Sequence, residues 1–226
     1  MRAAPVPIAK ASRILVNQEF FVQSIRELAQ RDTDLAAVID KYGNPPLWVR
    51  EAGFPTLIYI ILEQQVSLAS ARAAYQRLQA AVRPLTPAGF LRLSDMELKQ
   101  IGFSRQKTLY TRLLADALAC GRFNLRDLHD LHDEAARSAL VALKGIGNWT
   151  ADIYLLSALR RPDVWPIGDL ALATAVQEVK RLRTRPSPEK LERLSQPWRP
   201  WRAVAARLFW HAYLCKRGHR STTISL

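Results

Sequence analysis

The chain has 226 residues, 49% of them apolar, with 33 Lys/Arg against 20 Asp/Glu and a net charge of +13, which suits a folded protein with a sizeable core and excludes a disordered one. Its longest charge-free apolar run, Ala52 to Leu62, contains a proline and falls short of the ~20 residues of a membrane span. Pro5, Pro7 and Lys10 interrupt any secretory segment, and the two cysteines, Cys120 and Cys215, offer neither zinc spacing nor the four thiolates of an iron–sulfur cluster. A cytoplasmic protein without a metal is the expectation.

Apolar residues recur at helical spacing almost everywhere. Phe20 to Tyr42 reads as one such run, ended by Pro45-Pro46. Helices are then expected over Phe54 to Val66, Ala69 to Val82, Arg105 to Leu118, Glu134 to Leu143, Asn148 to Leu159, Leu170 to Val179 and Trp201 to Cys215. Breaks fall at "RPLTPAGF", "KGIG", "RPDVWPIGD" and "RPSPE", with a short helix around Glu189 to Leu194. No segment alternates with period two. The reading is an all-α protein of about ten short helices.

The positive charge is uneven. From Lys180 to Leu226 there are twelve Lys/Arg and two acids, Glu189 and Glu192, which points to a polyanionic partner. The alternative is an arginine-rich genome with solvated charges.

Two of the nine glycines stand at Gly145 and Gly147, around one isoleucine and just before a helix. A hairpin turn needs one glycine; two suggest close approach to the backbone. The first amides of the following helix, from Asn148, have no intrahelical partner and favour an anion such as phosphate, with Lys144 alongside. The competing reading is a helical hairpin with a glycine C-cap.

Downstream, Trp149 is followed by Asp169 in "RPDVWPIGDLAL". The stretch Leu143 to Leu172 resembles the helix-hairpin-helix motif, Gly/Pro loop and aspartate of the base-excision DNA glycosylase superfamily. It is most similar to the alkylation-repair branch, the 3-methyladenine DNA glycosylases of the second type, in a compact helical form. "ILEQQVSLASARAAYQRL", "IGFSRQKTLYTRLLADAL" and "WRPWRAVAARLFWHAY" agree with it, so the likeness runs from Leu35 to Tyr213. It implies two lobes, about 70–180 with the hairpin and about 15–69 plus 181–226, with the active site in the cleft between them. It also implies a monomer, with double-stranded DNA containing damaged bases as partner.

The resemblance makes Asp169 the catalytic carboxylate, which stabilises oxocarbenium character on the sugar and orients water; alone, it reads as an N-cap. Relatives that also cut the strand carry a lysine where this chain has Trp149, and no lysine lies between Lys144 and Lys180. A monofunctional enzyme using water is therefore expected. Trp149, Trp210 and Ile153 are the implied base-pocket residues, with Trp210 stacking on a cationic methylated purine; each also reads as core. Gln64, Gln65, Lys144, Gly145, Gly147, Asn148 and Thr150 are the implied DNA contacts, with Gln65 at the wedge position of the minor groove. Gln64 and Ser67 could instead satisfy backbone groups. The carbonyls of Val141, Leu143 and Ile146 could hold a monovalent cation, as relatives suggest. Remaining alternatives are a glycosylase for a neutral lesion, with His211 as the nearest acid, a non-catalytic hairpin DNA-binding protein, and a basic helical scaffold.

Overall fold

The computed structural model describes residues 15–218; the stretch read for a secretion signal and the end of the basic tail, including Arg220, lie outside them. The described residues form twelve α-helices and two 3₁₀ turns, with no strand. The helices are α1 (Gln18–Arg31), α2 (Thr33–Tyr42), α3 (Phe54–Glu63), α4 (Leu68–Ala81), α5 (Pro87–Leu91) and α6 (Asp95–Ile101). They continue with α7 (Arg105–Ala119), α8 (Asp133–Val141), α9 (Asn148–Ser157), α10 (Leu170–Val179), α11 (Pro188–Ser195) and α12 (Arg202–Lys216). The 3₁₀ turns are Leu125–His129 and Gln196–Trp198. Among the described residues, no helix is long and apolar enough to cross a membrane.

Two expected boundaries move. The run Phe20 to Tyr42 is two helices, because Asp32 leaves the helical conformation (φ −141°) and caps α2, its Oδ1 accepting from the amides of Asp34 and Leu35. The run Phe54 to Val66 stops at Glu63, because Gln65 takes a left-handed backbone (φ 57°) and Ser67 caps α4. Helix α6 was missed although Ser94 and Glu97 form a capping box, a local signal that sequence can show.

Helix α3 is the buried axis, with every residue except Pro55 inside, packed on α4, α7 and α9. Helices α1, α2, α10 and α12 pack together as a second group. Helix α3 thus lies with the hairpin helices and α10 with the terminal ones, across from where division by chain order puts them.

Arg207 joins the two groups. It is 0% exposed, and its guanidinium donates to the carbonyls of Leu47 (2.7 Å), Leu156 (2.9 Å) and Ala203 (2.9 Å), with no carboxylate bonded to it. Burial pushes its pKa down to about 9, so it is still charged at neutral pH. One cation therefore ties the segment after α2 to α9 and α12.

Asp32 closes the terminal group. Lys180 Nζ lies 2.6 Å from both its oxygens, and Trp198 Nε1 donates to Oδ2 at 2.7 Å. Burial alone would raise its pKa, but hydrogen bonds from Lys180 and Trp198 and the charge of Lys180 hold it below the ordinary value.

Arg207→Met takes the side-chain donor from the buried Leu47 and Leu156 carbonyls, while the Ala203 carbonyl keeps its helical amide, and should cost about 2 kcal/mol or more in urea unfolding; a loss below about 1 kcal/mol would contradict the role given to it. Asp32→Ala removes a cap, takes the acceptor from Trp198 Nε1 and leaves Lys180 with Asp34 alone (3.0 Å), at about 2 kcal/mol near neutral pH. Because the folded pKa of Asp32 is depressed, its contribution is complete above the unfolded pKa of ~3.9 and is lost as pH falls through the folded value. Melting curves of native and Asp32→Ala protein should converge in that acid range.

Candidate active site

The hairpin of α8 and α9 gives its two glycines different tasks. Gly145 has φ +93°, and a Cβ there would collide with the ring of Tyr110. Its lack of a side chain is demanded from inside the protein. Gly147 has φ −91° and caps α9 without any side-chain cap bond, and a Cβ on it would meet nothing within 4 Å. It faces open space together with Lys144 and Asn148, both exposed. Only the second glycine therefore fits the expected close approach. The hairpin is braced by Arg137 Nε donating to Asp152 Oδ1 at 2.6 Å. Burial raises the Asp152 pKa to about 6 against the opposing charge of Arg137.

The turn after α3 is anchored to the same hairpin. Gln64 Nε2 donates to Gly145 O (3.2 Å) and to Thr150 Oγ1 (2.9 Å). Thr150 is only 1% exposed. Both side chains were expected to face DNA; their chemistry is instead satisfied internally, and Ser67 is the cap of α4. Lys107, whose pKa is lowered by burial, donates to the last-turn carbonyl of Leu62 at 2.7 Å. Held at both sides, the turn presents Gln65 outward in its left-handed conformation. Val66 and Leu68 beside it are 46% and 49% exposed, apolar surface that sequence reasoning missed.

Asp169 stands at the start of α10, on a loop fixed from below by the ring contacts of Trp165, Trp198 and Phe209. Asp163 holds the same loop through Arg199 and Arg202. Asp169 Oδ1 accepts from the Leu172 amide (2.6 Å) and Trp210 Nε1 (3.1 Å), and Oδ2 from Trp149 Nε1 (2.9 Å). The N-cap and the expected catalytic residue are thus the same carboxylate, aimed by two indoles.

A cavity of about 290 Å³, near the lower end of small-ligand sites, opens at this carboxylate and is mostly apolar. Trp149, Ile153 and Trp210, the implied base-pocket residues, are among its lining. Trp48, Arg50 and Glu63 line it too and were not anticipated, because nothing local in sequence marks them. Trp48 has a left-handed backbone (φ 43°), strain of a kind that gathers at functional sites. A larger groove of about 510 Å³ over Tyr59, Arg72 and Tyr75 shares only Arg50 with this cavity and contains neither Asp169 nor the hairpin. Size is therefore a poor guide here.

Two further expectations change. Part of the basic C-terminal excess is offset within the protein: Lys180, Arg199, Arg202, Lys216 and Arg217 pair with acids, and Arg207 is buried. His211 does not line the cavity; its ring is hydrogen-bonded with the Tyr42 carbonyl at 3.0 Å. At the expected cation position, the Leu143 carbonyl already accepts from the Ile146 amide at 3.0 Å and retains one lone pair.

Comparison with known proteins agrees with this geometry. Residues 58–200 match the model of the HhH-GPD superfamily of base excision DNA repair proteins. A putative DNA-3-methyladenine glycosylase of Bacillus subtilis is 25% identical over 188 residues, 80% of this chain and 66% of its own length. A second relative from that organism, named DNA-3-methyladenine glycosylase, is 28% identical over 53% of this chain and 39% of its own length. The chain thus spans about two fifths to two thirds of these curated relatives. The solved 3-methyladenine DNA glycosylase of Schizosaccharomyces pombe, in complex with abasic DNA, superposes with a TM-score of 0.79 at 24% identity, covering 86% of this chain and 97% of that one. A DNA-3-methyladenine glycosidase from Bacillus halodurans gives 0.71 at 28%, covering 89% and 92%. With residues 58–200 matched, more than half of its length, and with a helical hairpin followed by a capped aspartate, the chain belongs to the HhH-GPD superfamily of base excision DNA repair proteins.

Proposed function

We propose that this protein is a monofunctional DNA glycosylase that takes an alkylated purine out of duplex DNA and hydrolyses its N-glycosidic bond. The carrying observation is the Asp169 carboxylate, fixed by two indole N–H groups at the mouth of an aromatic-walled cavity. As the bond to the base lengthens, positive charge builds on the sugar, and a preorganised carboxylate stabilises it and orients the attacking water. The indoles keep that carboxylate from turning away. The Trp149 and Trp210 rings suit an electron-poor, cationic base such as 3-methyladenine or 7-methylguanine. Such a base leaves without protonation, which fits a cavity whose lining includes no histidine. Trp149 holds the position where strand-cutting relatives carry a lysine, and its N–H is engaged by Asp169, so water is the nucleophile.

DNA would be gripped as a monomer, at two places. The open N-terminus of α9 at Gly147, with Lys144, receives a phosphate. The turn Gln65 to Leu68 enters the minor groove, with Gln65 at its tip and Val66 and Leu68 as apolar filling. A monovalent cation on the carbonyls of Val141, Leu143 and Ile146 would join the hairpin to that phosphate. The reading places the protein with the chromosome, in the cytoplasm.

Free-base release from methylated duplex DNA, followed by chromatography, should be abolished by Asp169→Asn, with strand breaks appearing only after alkali. Breaks without alkali would overturn the argument from Trp149. Gly147→Ala, which meets no internal neighbour, should keep its melting temperature but weaken duplex binding about tenfold by placing a methyl in the path of the phosphate. Gly145→Ala should lower the melting temperature itself. The logarithm of native affinity should fall linearly with log salt, by about 0.9 per phosphate neutralised. Replacing potassium by an organic cation at equal ionic strength should weaken binding further if the hairpin carbonyls hold the ion.

A further inference from the structure

Besides Asp169, the cavity is lined by one ion pair: Arg50 and Glu63, with side chains 3% and 5% exposed. The contact is two-pronged, Arg50 Nη1 to Glu63 Oε2 at 3.0 Å and Nη2 to Oε1 at 2.7 Å. We propose that Glu63 is a specificity-determining residue, whose carboxylate accepts a hydrogen bond from an exocyclic amine of the extruded base, with Arg50 as its positioning residue. The inference rests on the glycosylase reading above and specifies which edge of the base the cavity reads.

Several observations converge on Glu63. The Trp149 and Trp210 N–H groups of the cavity wall are committed to Asp169, and the Ser157 hydroxyl to the Ile153 carbonyl at 2.6 Å. A base amine entering this apolar space needs an acceptor, or it loses its hydrogen bonds to water without replacement. Each Glu63 oxygen gives one lone pair to Arg50 and keeps another, which is free to accept from an amine. Arg50 cannot shift to follow another partner. Its amide donates to the Ser157 carbonyl at 3.0 Å, and its guanidinium lies 4.8 Å from the centre of the Tyr59 ring.

Packing alone does not account for the pair. Arg50 Nε is buried with no hydrogen-bond acceptor, an imperfect arrangement for a bridge serving stability only. Apolar residues of similar volume often replace such a bridge with no loss of stability. Its charges also suit the proposed ligand. With Asp169 and Glu63 against Arg50, the cavity carries one net negative charge facing a cationic base. Glu63 is already desolvated and held before the base arrives, so its hydrogen bond contributes to selection rather than being offset by reorganisation.

The test uses two duplexes that differ by one amine, carrying a single 7-methylguanine or a single 7-methylhypoxanthine. Both bases are cationic N7-methyl leaving groups. Single-turnover release would be followed for native protein, Glu63→Ala, and the double variant Arg50→Met with Glu63→Met. The single change leaves Arg50 unpaired and can unfold the protein; the double change removes both charges at similar volume. Native protein should release the amine-bearing base about 10 to 100 times faster, and the double variant, shown folded by its melting curve, should bring that ratio close to one. Equal loss on both substrates with the ratio kept would make the pair structural and overturn this inference alone, as would a native ratio near one. Release of neither base by native protein would overturn the inference together with the alkylated-base reading.

Discussion

A guanidinium with no acid beside it holds this molecule together. Arg207 is fully buried, and its N–H groups donate to the carbonyls of Leu47, Leu156 and Ala203. These lie on three separate stretches of chain: the irregular segment after α2, helix α9 and helix α12. The arrangement of these stretches, and with it the cavity between them, depends on one long side chain. Trp48 and Arg50 reach the cavity wall because the Leu47 carbonyl is fixed this way and the Arg50 amide donates to Ser157.

The proposed chemistry uses a group that the fold also needs. Asp169 satisfies the amide of Leu172 at the start of α10 and accepts from the indoles of α9 and α12. A carboxylate with three donors from three elements has little freedom to turn. The same logic recurs away from the site. Asp32 caps α2 while receiving Lys180 and Trp198, and Gln64, the residue that ends α3, joins the turn after it to the hairpin through its side chain. Acids and amides at helix ends serve as joints between helices in this protein. Part of its positive charge is used similarly, where Lys180 meets Asp32, Arg202 meets Asp163 and Arg217 meets Glu178.

The two glycines of "KGIG" show how one local signal can have two causes. Both looked like openings for a phosphate. Gly145 is required because the ring of Tyr110, 35 residues earlier in the chain, occupies the space of its side chain. Gly147 is required by nothing inside the protein, which is why it fits an external ligand. No pattern within the motif separates these cases, since the difference lies in what α7 brings against the turn.

Helical periodicity and the Pro/Gly breaks were enough for the all-α class and most helices. The run from Leu143 to Leu172 was enough for the hairpin and for the helix cap at Asp169. These are local properties: a 3.6-residue period, a cap, a turn, a motif carried by contiguous residues. Boundaries failed where one polar residue served two helices, as at Asp32, or where the backbone turned left-handed, as at Gln65. What the tertiary structure alone decided was which side chains meet: Trp210 with Trp149 across Asp169, Gln64 with Thr150, Arg50 with Glu63 beside the cavity. Such pairings are set by helices crossing and by buried polar groups finding partners, and neither leaves a periodic trace in the chain.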